Sequence, residues 1–102
     1  MSRTTEFEIS IATLQVANTK PNGIASFDDL RSEIPLYINL TQGDLQYSST
    51  RPGERLWEQL IRNIQSHHNS DGNFIALGYL EHVRGVGYRI TSAGRSYLIS
   101  RH

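Results

Sequence analysis

The chain has 102 residues, of which 37% are hydrophobic and 20% charged, and it contains no cysteine. This composition is typical of a folded domain and excludes disulfides and thiolate metal sites. Because no apolar run reaches membrane-spanning length and no apolar segment follows the start, we expect one soluble domain over residues 1–102, cytoplasmic and away from membranes.

The formal net charge of zero hides an uneven distribution along the chain. Residues 1–50 carry three basic and six acidic side chains, a balance of −3, whereas residues 51–102 carry seven arginines and four acids, a balance of +3. All but one of the ten basic residues are arginine, which makes paired hydrogen bonds with phosphate and with guanine edges. On charge alone, an ordinary solvated surface explains this distribution equally well.

The first predicted element is a helix over residues 6–17. Phe7, Ile11 and Leu14 recur there at close to helical spacing, although β-branched neighbours leave a strand open. The turn formers of residues 18–23 end this helix. The two residues that follow the loop can add a short strand.

A second helix is predicted over residues 27–34. Ser26 and Asp29 resemble a capping box at its start, and Pro35 ends it. The stretch 36–49 is mixed in character, and we expect no more than one short turn of helix within it.

The strongest periodic pattern predicts a third helix over residues 51–67. Ser49 and Thr50 are candidate caps, and Pro52 stands near the first helical position. At 100° per residue, five apolar side chains fall within one arc of about 140°, wide enough to face a core. They are Leu56, Trp57, Leu60, Ile61 and Ile64.

The opposite face of this third helix is polar. It carries Arg55, Arg62 and Ser66, with Gln59 beside them and Asn63 at the border of the apolar arc. Side chains of these types hydrogen-bond base edges and phosphates. The alternative is an ordinary solvated face on which Glu58 and Arg62 form a helical ion pair. Glu54 and Glu58 favour this alternative, because they would repel phosphates if they faced DNA.

The last third of the chain predicts a β-hairpin and a short helix. Residues 79–83 and 88–91 are β-prone, and the two glycines of residues 84–87 permit the positive φ angles of a hairpin turn. Thr91 caps a final helix over residues 92–100.

Helix, helix, helix and hairpin is the element order of a winged helix-turn-helix: an α+β fold with a three-helix core, a C-terminal two-stranded β-hairpin wing and a short last helix. The C-terminal half also carries the strings RLWEQ (55–59), RNI (62–64), GNFI (72–75), GYLE (78–81) and YRITSAGR (88–95). These strings resemble the winged-helix domains at the ends of restriction endonucleases, the Mrr-type N-terminal domain above all. The resemblance covers residues 40–100 by motif and the first two helices by order and spacing. In such families the module is joined to a nuclease domain, and the resemblance implies that it binds DNA.

In a winged helix the third helix enters the major groove and the wing contacts a flanking groove or the backbone. We therefore expect a double-stranded DNA site formed by Ser49, Thr50, Arg51, Arg55, Gln59, Arg62, Asn63, Ser66, His82 and Arg84. The first three would clamp the DNA backbone at the helix start, and the last two would reach DNA from the wing. Arg89 is a secondary candidate, for which an ion pair within the fold is the alternative.

No enzyme activity, cofactor or metal is expected. An acid-x-Lys nuclease site needs a lysine, and the single one, Lys20, follows Asn18 and Thr19. The sequence has neither a Gly-x-Ser-x-Gly elbow nor a phosphate-binding loop. His67 and His68 are adjacent, so they cannot both point at one ion without unusual backbone geometry, and zinc normally needs three or four ligands.

Two functions remain open from the sequence. The first is a DNA-binding module, acting as a small regulator or as the targeting domain of a restriction-type system with a nuclease or methyltransferase partner. The second is a winged-helix protein-interaction or dimerisation module without DNA binding, which the near-neutral charge favours. A homodimer through the first and last helices is compatible with both.

Overall fold

The computed structural model describes residues 3–101, which form an α+β fold of five α-helices, one 3₁₀ turn and a three-stranded antiparallel sheet. The elements are α1 (Glu6–Asn18), β1 (Ile24–Ser26), α2 (Phe27–Glu33), the 3₁₀ turn (Ile34–Leu36), α3 (Gln42–Leu45), α4 (Leu56–Ser66), β2 (Leu80–Val83), β3 (Gly87–Ile90) and α5 (Ser92–Ser100). Within residues 3–101, no helix has the length and apolar character needed to cross a membrane.

The helices α1, α2, α3 and α5 begin where the local sequence supplies a cap. Thr5, Ser26 and Thr41 each accept a hydrogen bond from the backbone three residues on, and the acid there accepts one in return. This geometry satisfies two otherwise unpaired backbone donors at each helix start. In α2 the hydrogen bond from the Ser26 amide lowers the pKa of Asp29. Thr91 caps α5, and the predicted capping box of α2 is confirmed.

The sheet has the order β1-β3-β2, with both neighbours antiparallel to β3. Residues 80–83 and 87–90 pair as the predicted hairpin, and β1, at the position where the sequence allows a short strand, joins them as a third strand. The turn is closed by the Val86 amide, which donates to the Val83 carbonyl at 2.9 Å, and Gly85 has a φ of +74°. Gly87 serves a different purpose, since a β-carbon there would lie 1.9 Å from the Ala25 carbonyl oxygen.

The core lies between the inner face of the sheet and the helices α1, α2 and α4. Three residues of the predicted apolar arc of α4, Trp57, Ile61 and Ile64, are buried in this core, and Leu56 and Leu60 are half-buried. Tyr88 of β3 is fully buried, and its hydroxyl donates to the Ile61 carbonyl at 2.7 Å and accepts from the Gln65 amide at 3.1 Å. This hydroxyl fixes the distance between the sheet and α4, and burial raises the pKa of Tyr88 to about 12.

The third predicted helix starts at Leu56 rather than at residue 51. The preceding residues form a loop in which Pro52 and Gly53 are the corners of a β-turn, closed by the Glu54 amide donating to the Arg51 carbonyl at 3.1 Å. Gly53 has a φ of +79°, and a Pro-Gly pair favours a turn of this type. Arg55 is the N-cap of α4.

Candidate nucleic-acid interface

The outward face of α4 carries the polar side chains that the sequence places there. Arg62 and Ser66 are exposed, whereas Gln59 and Asn63 are half-buried. They lie on the side of the helix opposite the buried core residues. The prediction of one apolar and one polar face for this helix is therefore confirmed.

Residues 46–55, called the 46–55 loop below, lie against part of this polar face. The side-chain amide of Gln59 donates to the Ser48 hydroxyl at 2.5 Å, and the Arg62 guanidinium forms an ion pair with Glu54. The Glu54 side chain is only 15% exposed, against 46% for that of Arg62. The loop thus partly covers α4, and the charge of Arg62 is already balanced.

Arg55 is engaged by the segment that precedes it. Its guanidinium donates to the Leu45 carbonyl and to the Tyr47 hydroxyl, the latter at 3.1 Å. The same group lies over the Tyr47 ring, 4.5 Å from its centroid, in a cation–π contact. Arg55 and Arg62 therefore both contact residues 45–54. The sequence predicts the last four of these residues, 51–54, to be helical.

Ser49, Thr50 and Arg51 do not stand at a helix start, and this part of the prediction is wrong. All three are exposed on the 46–55 loop, where the Ser48 hydroxyl accepts from the amides of Thr50 and Arg51 at 3.1 Å each. The N-cap of α4 is Arg55, so none of the three residues caps this helix. Arg51 is left as an exposed guanidinium on the loop.

The tip of the β2–β3 hairpin rests on the start of α2. The Phe27 amide donates to the Val86 carbonyl at 2.9 Å, and the Phe27 ring meets Tyr88 edge-on at 5.6 Å between centroids. Arg84 is exposed at this tip. His82 is also exposed, on the sheet face that carries Tyr88, because the two residues are paired across the strands.

Two grooves join α4 to the hairpin tip by way of α2. The first is lined by Phe27, Arg31, Glu58, Ile61 and Arg62, and the second by Ser26, Phe27, Asp28, Arg31, Gly85 and Val86. Phe27 and Arg31 line both grooves, so the edge of α4, the start of α2 and the hairpin tip form one continuous surface. We call it the α4–tip surface.

Arg31 is the member of this surface that sequence reasoning missed. It pairs with Asp28 at 2.5 Å, one turn away on α2, and the Asp28 side chain is 89% exposed. From the sequence, Arg31 is only a basic residue in the last turn of a predicted helix. Such residues are common, and their presence does not indicate which residues lie nearby in the fold. Its proximity to Arg62 depends on how α2 packs on α4.

Arg89 lies away from the α4–tip surface. It pairs with Glu81, directly opposite on β2, at 3.1 Å. Since successive strand residues point to opposite faces, Arg89 is on the other side of the sheet from Tyr88. The alternative assignment of Arg89 to an ion pair within the fold is the one that the geometry supports.

The two histidines after α4 bind separate partners. His67 Nδ1 lies 2.8 Å from a Glu6 carboxylate oxygen, and His68 Nδ1 lies 2.9 Å from the Gln65 carbonyl. In the described part of the chain, no three His, Cys, Asp or Glu side chains come close enough to hold a metal ion. Each histidine thus has a contact that accounts for its position near the end of α4.

Comparisons with protein-family models, with curated proteins and with solved structures give no match. What the α4–tip surface can do chemically follows from its side chains. The guanidinium groups of Arg31 and Arg62 can donate hydrogen bonds to an anionic ligand, whereas the carboxylates of Asp28 and Glu58 on the same surface oppose its approach.

Proposed function

We propose that this protein is a winged helix-turn-helix module that binds double-stranded DNA, with α4 in the major groove and the β2–β3 hairpin as its wing. The helix, helix, helix and hairpin order of α1, α2, α4 and β2–β3 supports the fold assignment, with α3 and the 3₁₀ turn as an insertion before α4. A relationship of residues 40–100 to the Mrr-type domain is part of this proposal.

The continuity of the α4–tip surface is the observation that carries the proposal. A major groove about 12 Å wide admits one helix, so elements that flank this helix meet the two phosphate backbones. Arg62, which lines this surface, and Gln59, Asn63 and Ser66 on the adjoining face of α4 are of the types that read base edges. Flanking it, Arg31 and Arg84 are positioned to contact phosphates.

The exposed arginines around α4 are available for phosphate binding. Among residues 3–101, neither Arg51 nor Arg84 takes part in an ion pair. Arg31 does pair with Asp28, but an ion pair this exposed contributes little in water, so a phosphate can replace the carboxylate.

A fluorescence anisotropy titration with duplex DNA tests the proposal through single arginine substitutions. We expect Arg31→Ala and Arg84→Ala each to weaken binding at low salt about fivefold and to reduce the slope of log K against log salt by roughly 0.9, the loss of one phosphate contact. Arg89→Ala is the matched control, because it removes the same charge from the opposite face of the sheet.

Two results would contradict DNA binding at this surface. One is the absence of binding to any duplex at low salt by a protein whose circular dichroism shows it folded. The other is an equal loss of affinity in Arg89→Ala and Arg31→Ala, which would mean that only total charge matters.

A second function, self-association, is favoured by a groove along α1 on the side of α5. This groove is lined by Gln15, Asn18, Thr19, Tyr37, Arg95, Leu98 and Ile99. The Ile99 side chain is 75% exposed and lines this groove together with Leu98, so the groove offers apolar area to a second copy.

Sedimentation velocity distinguishes this second function from the first. If two copies associate through α5, Ile99→Glu shifts the protein to monomer, whereas Leu77→Glu, an exposed apolar position outside the groove, does not. A wild-type chain that stays monomeric at high micromolar concentration rules out self-association through this face.

A further inference from the structure

The contact between the 46–55 loop and α4 contains an unusual carboxylate. Glu54 pairs with Arg62 through Oε2, while its other oxygen, Oε1, is buried and has no hydrogen-bond partner within residues 3–101. Buried acceptors are nearly always paired, because leaving one unpaired loses its interaction with water and gains nothing. The closed position of this loop therefore carries a cost that its opening would remove.

No other glutamate–arginine pair of the described residues has this character. Glu81 and Arg89 are both about half exposed and pair across two strands, and neither carboxylate oxygen of Glu81 is buried without a partner. The Glu54 carboxylate, in contrast, is mostly buried and contacts Arg62, which lies on the outward face of α4. It both neutralises Arg62 and adds negative charge where a phosphate would approach.

Resting on the DNA-binding function proposed above, we propose that Glu54 sets the specificity of the α4–tip surface by occupying Arg62. A phosphate that approaches Arg62 must displace Glu54 and gains one charged contact for the one it breaks. A guanine edge offers Arg62 two acceptors, O6 and N7, and the neighbouring bases offer contacts to the rest of α4. Glu54 therefore suppresses non-specific binding more than binding at a cognate site.

The 46–55 loop has to move in this exchange, and its hydrogen bonds define which amides report the movement. The Ser48 amide donates to the Glu54 carbonyl at 2.7 Å, and the Leu56 amide donates to the Gln46 carbonyl at 2.9 Å. Both hydrogen bonds close the base of the loop. Weakening the Glu54–Arg62 pair should speed hydrogen exchange at these amides in the free protein.

The test compares Glu54→Gln with Glu81→Gln. Each variant removes one negative charge from a glutamate–arginine pair, one on the α4–tip surface and one on the opposite face of the sheet. On random-sequence duplex DNA we expect E54Q to bind about five- to tenfold more tightly than wild type, with a slope of log K against log salt steeper by roughly 0.9 for the extra phosphate contact. E81Q should stay within twofold, with an unchanged slope.

A double-mutant cycle shows whether Glu54 acts through Arg62. In an Arg62→Ala background, the gain from E54Q should disappear, because no guanidinium is left to release. Amide exchange at Ser48 and Leu56 should be faster in E54Q than in wild type or E81Q without DNA present. A gain that persists without Arg62, or amide exchange that is unchanged, overturns the role given to Glu54.

The outcomes separate this inference from the function on which it rests. If wild type binds duplex DNA and E54Q behaves like E81Q, DNA binding stands and the role of Glu54 is overturned. If wild type, E54Q and E81Q all fail to bind at low salt, the DNA-binding function itself is wrong, and the role of Glu54 falls with it.

Discussion

The hydroxyl of Tyr88 offers the sharpest test of how the sheet holds α4. It is buried, donates to the Ile61 carbonyl at 2.7 Å and accepts from the Gln65 amide at 3.1 Å. A buried hydrogen bond contributes about 0.5–1.5 kcal/mol net, so removing both in Tyr88→Phe should lower the free energy of unfolding by about 1–3 kcal/mol. The ring remains, so the core is not expected to collapse.

The same hydroxyl makes stability depend on alkaline pH. Burial raises the pKa of Tyr88 to about 12 from an ordinary value of 10.0, because the phenolate cannot be solvated in the core. A pKa raised in the folded state gives stability that is complete below about pH 10 and is lost as pH rises towards 12. The rise of the Tyr88 pKa from 10.0 to about 12 corresponds to roughly 3 kcal/mol in the free energy of unfolding. The Tyr88→Phe variant has no hydroxyl to ionise, so its stability does not fall in this way at high pH.

Urea unfolding monitored by circular dichroism measures both effects. At pH 7 we expect Tyr88→Phe to be less stable than wild type by about 2 kcal/mol with an unchanged m-value. Between pH 10 and 12 the two stability curves should converge, because only wild type loses the Tyr88 contribution. A difference at pH 7 under about 0.5 kcal/mol, together with parallel curves at high pH, would refute this reasoning.

Three further substitutions test the sheet and the contact between Asp44 and Thr4. Gly87→Ala places a β-carbon 1.9 Å from the Ala25 carbonyl oxygen, so urea titration should show a loss of roughly 3 kcal/mol or more, whereas Gly85→Ala meets open space and should cost only about 1–2 kcal/mol for its positive φ. Equal losses would contradict the close approach of β1 and β3. Burial opposes ionisation of Asp44, but hydrogen bonds led by that from Thr4 outweigh it and lower the pKa of the carboxyl below 3.8. The ionised Asp44 carboxylate therefore stabilises the fold above about pH 4, and this stabilisation is lost as pH falls through the pKa of the folded state. Asp44→Asn should flatten this acid limb of the pH–stability curve. A limb as steep as that of wild type would exclude this role of Asp44.

Most elements could be predicted because their signals are local. The capping box of α2, the hairpin with its glycine at the turn and the threonine cap of α5 each depend on residues within a few positions of one another. The start of α4 could not be predicted in the same way. Pro52 suits both the first turn of a helix and the second position of a β-turn, and it is Gly53, with its positive φ, that makes the turn.

The candidate site was harder to predict than the fold because it depends on packing. The polar face of α4 follows from helical periodicity, so Arg62 and Ser66 could be assigned from the sequence. The ion pair of Arg62 with Glu54 depends on the β-turn over residues 51–54, a segment that the sequence predicts to be helical. The proximity of Arg31 to the hairpin tip depends on the contact between Phe27 and Val86. No spacing rule contains that information.

The charge of the chain limits the kind of DNA binding that the proposed function allows. With a formal net charge of zero, the protein gains little long-range attraction, so its affinity has to come from a few local contacts. Under the proposed function, Arg31, Arg51 and Arg84 would supply on the order of three phosphate contacts, for which we predict a log–log salt slope of roughly −3, shallower than that of proteins with 6–10 such contacts. On this proposal, binding at physiological salt would depend on base contacts from α4, whose Arg62 is paired with Glu54. A surface of this kind favours selective over indiscriminate binding, because its non-specific component is small from the outset.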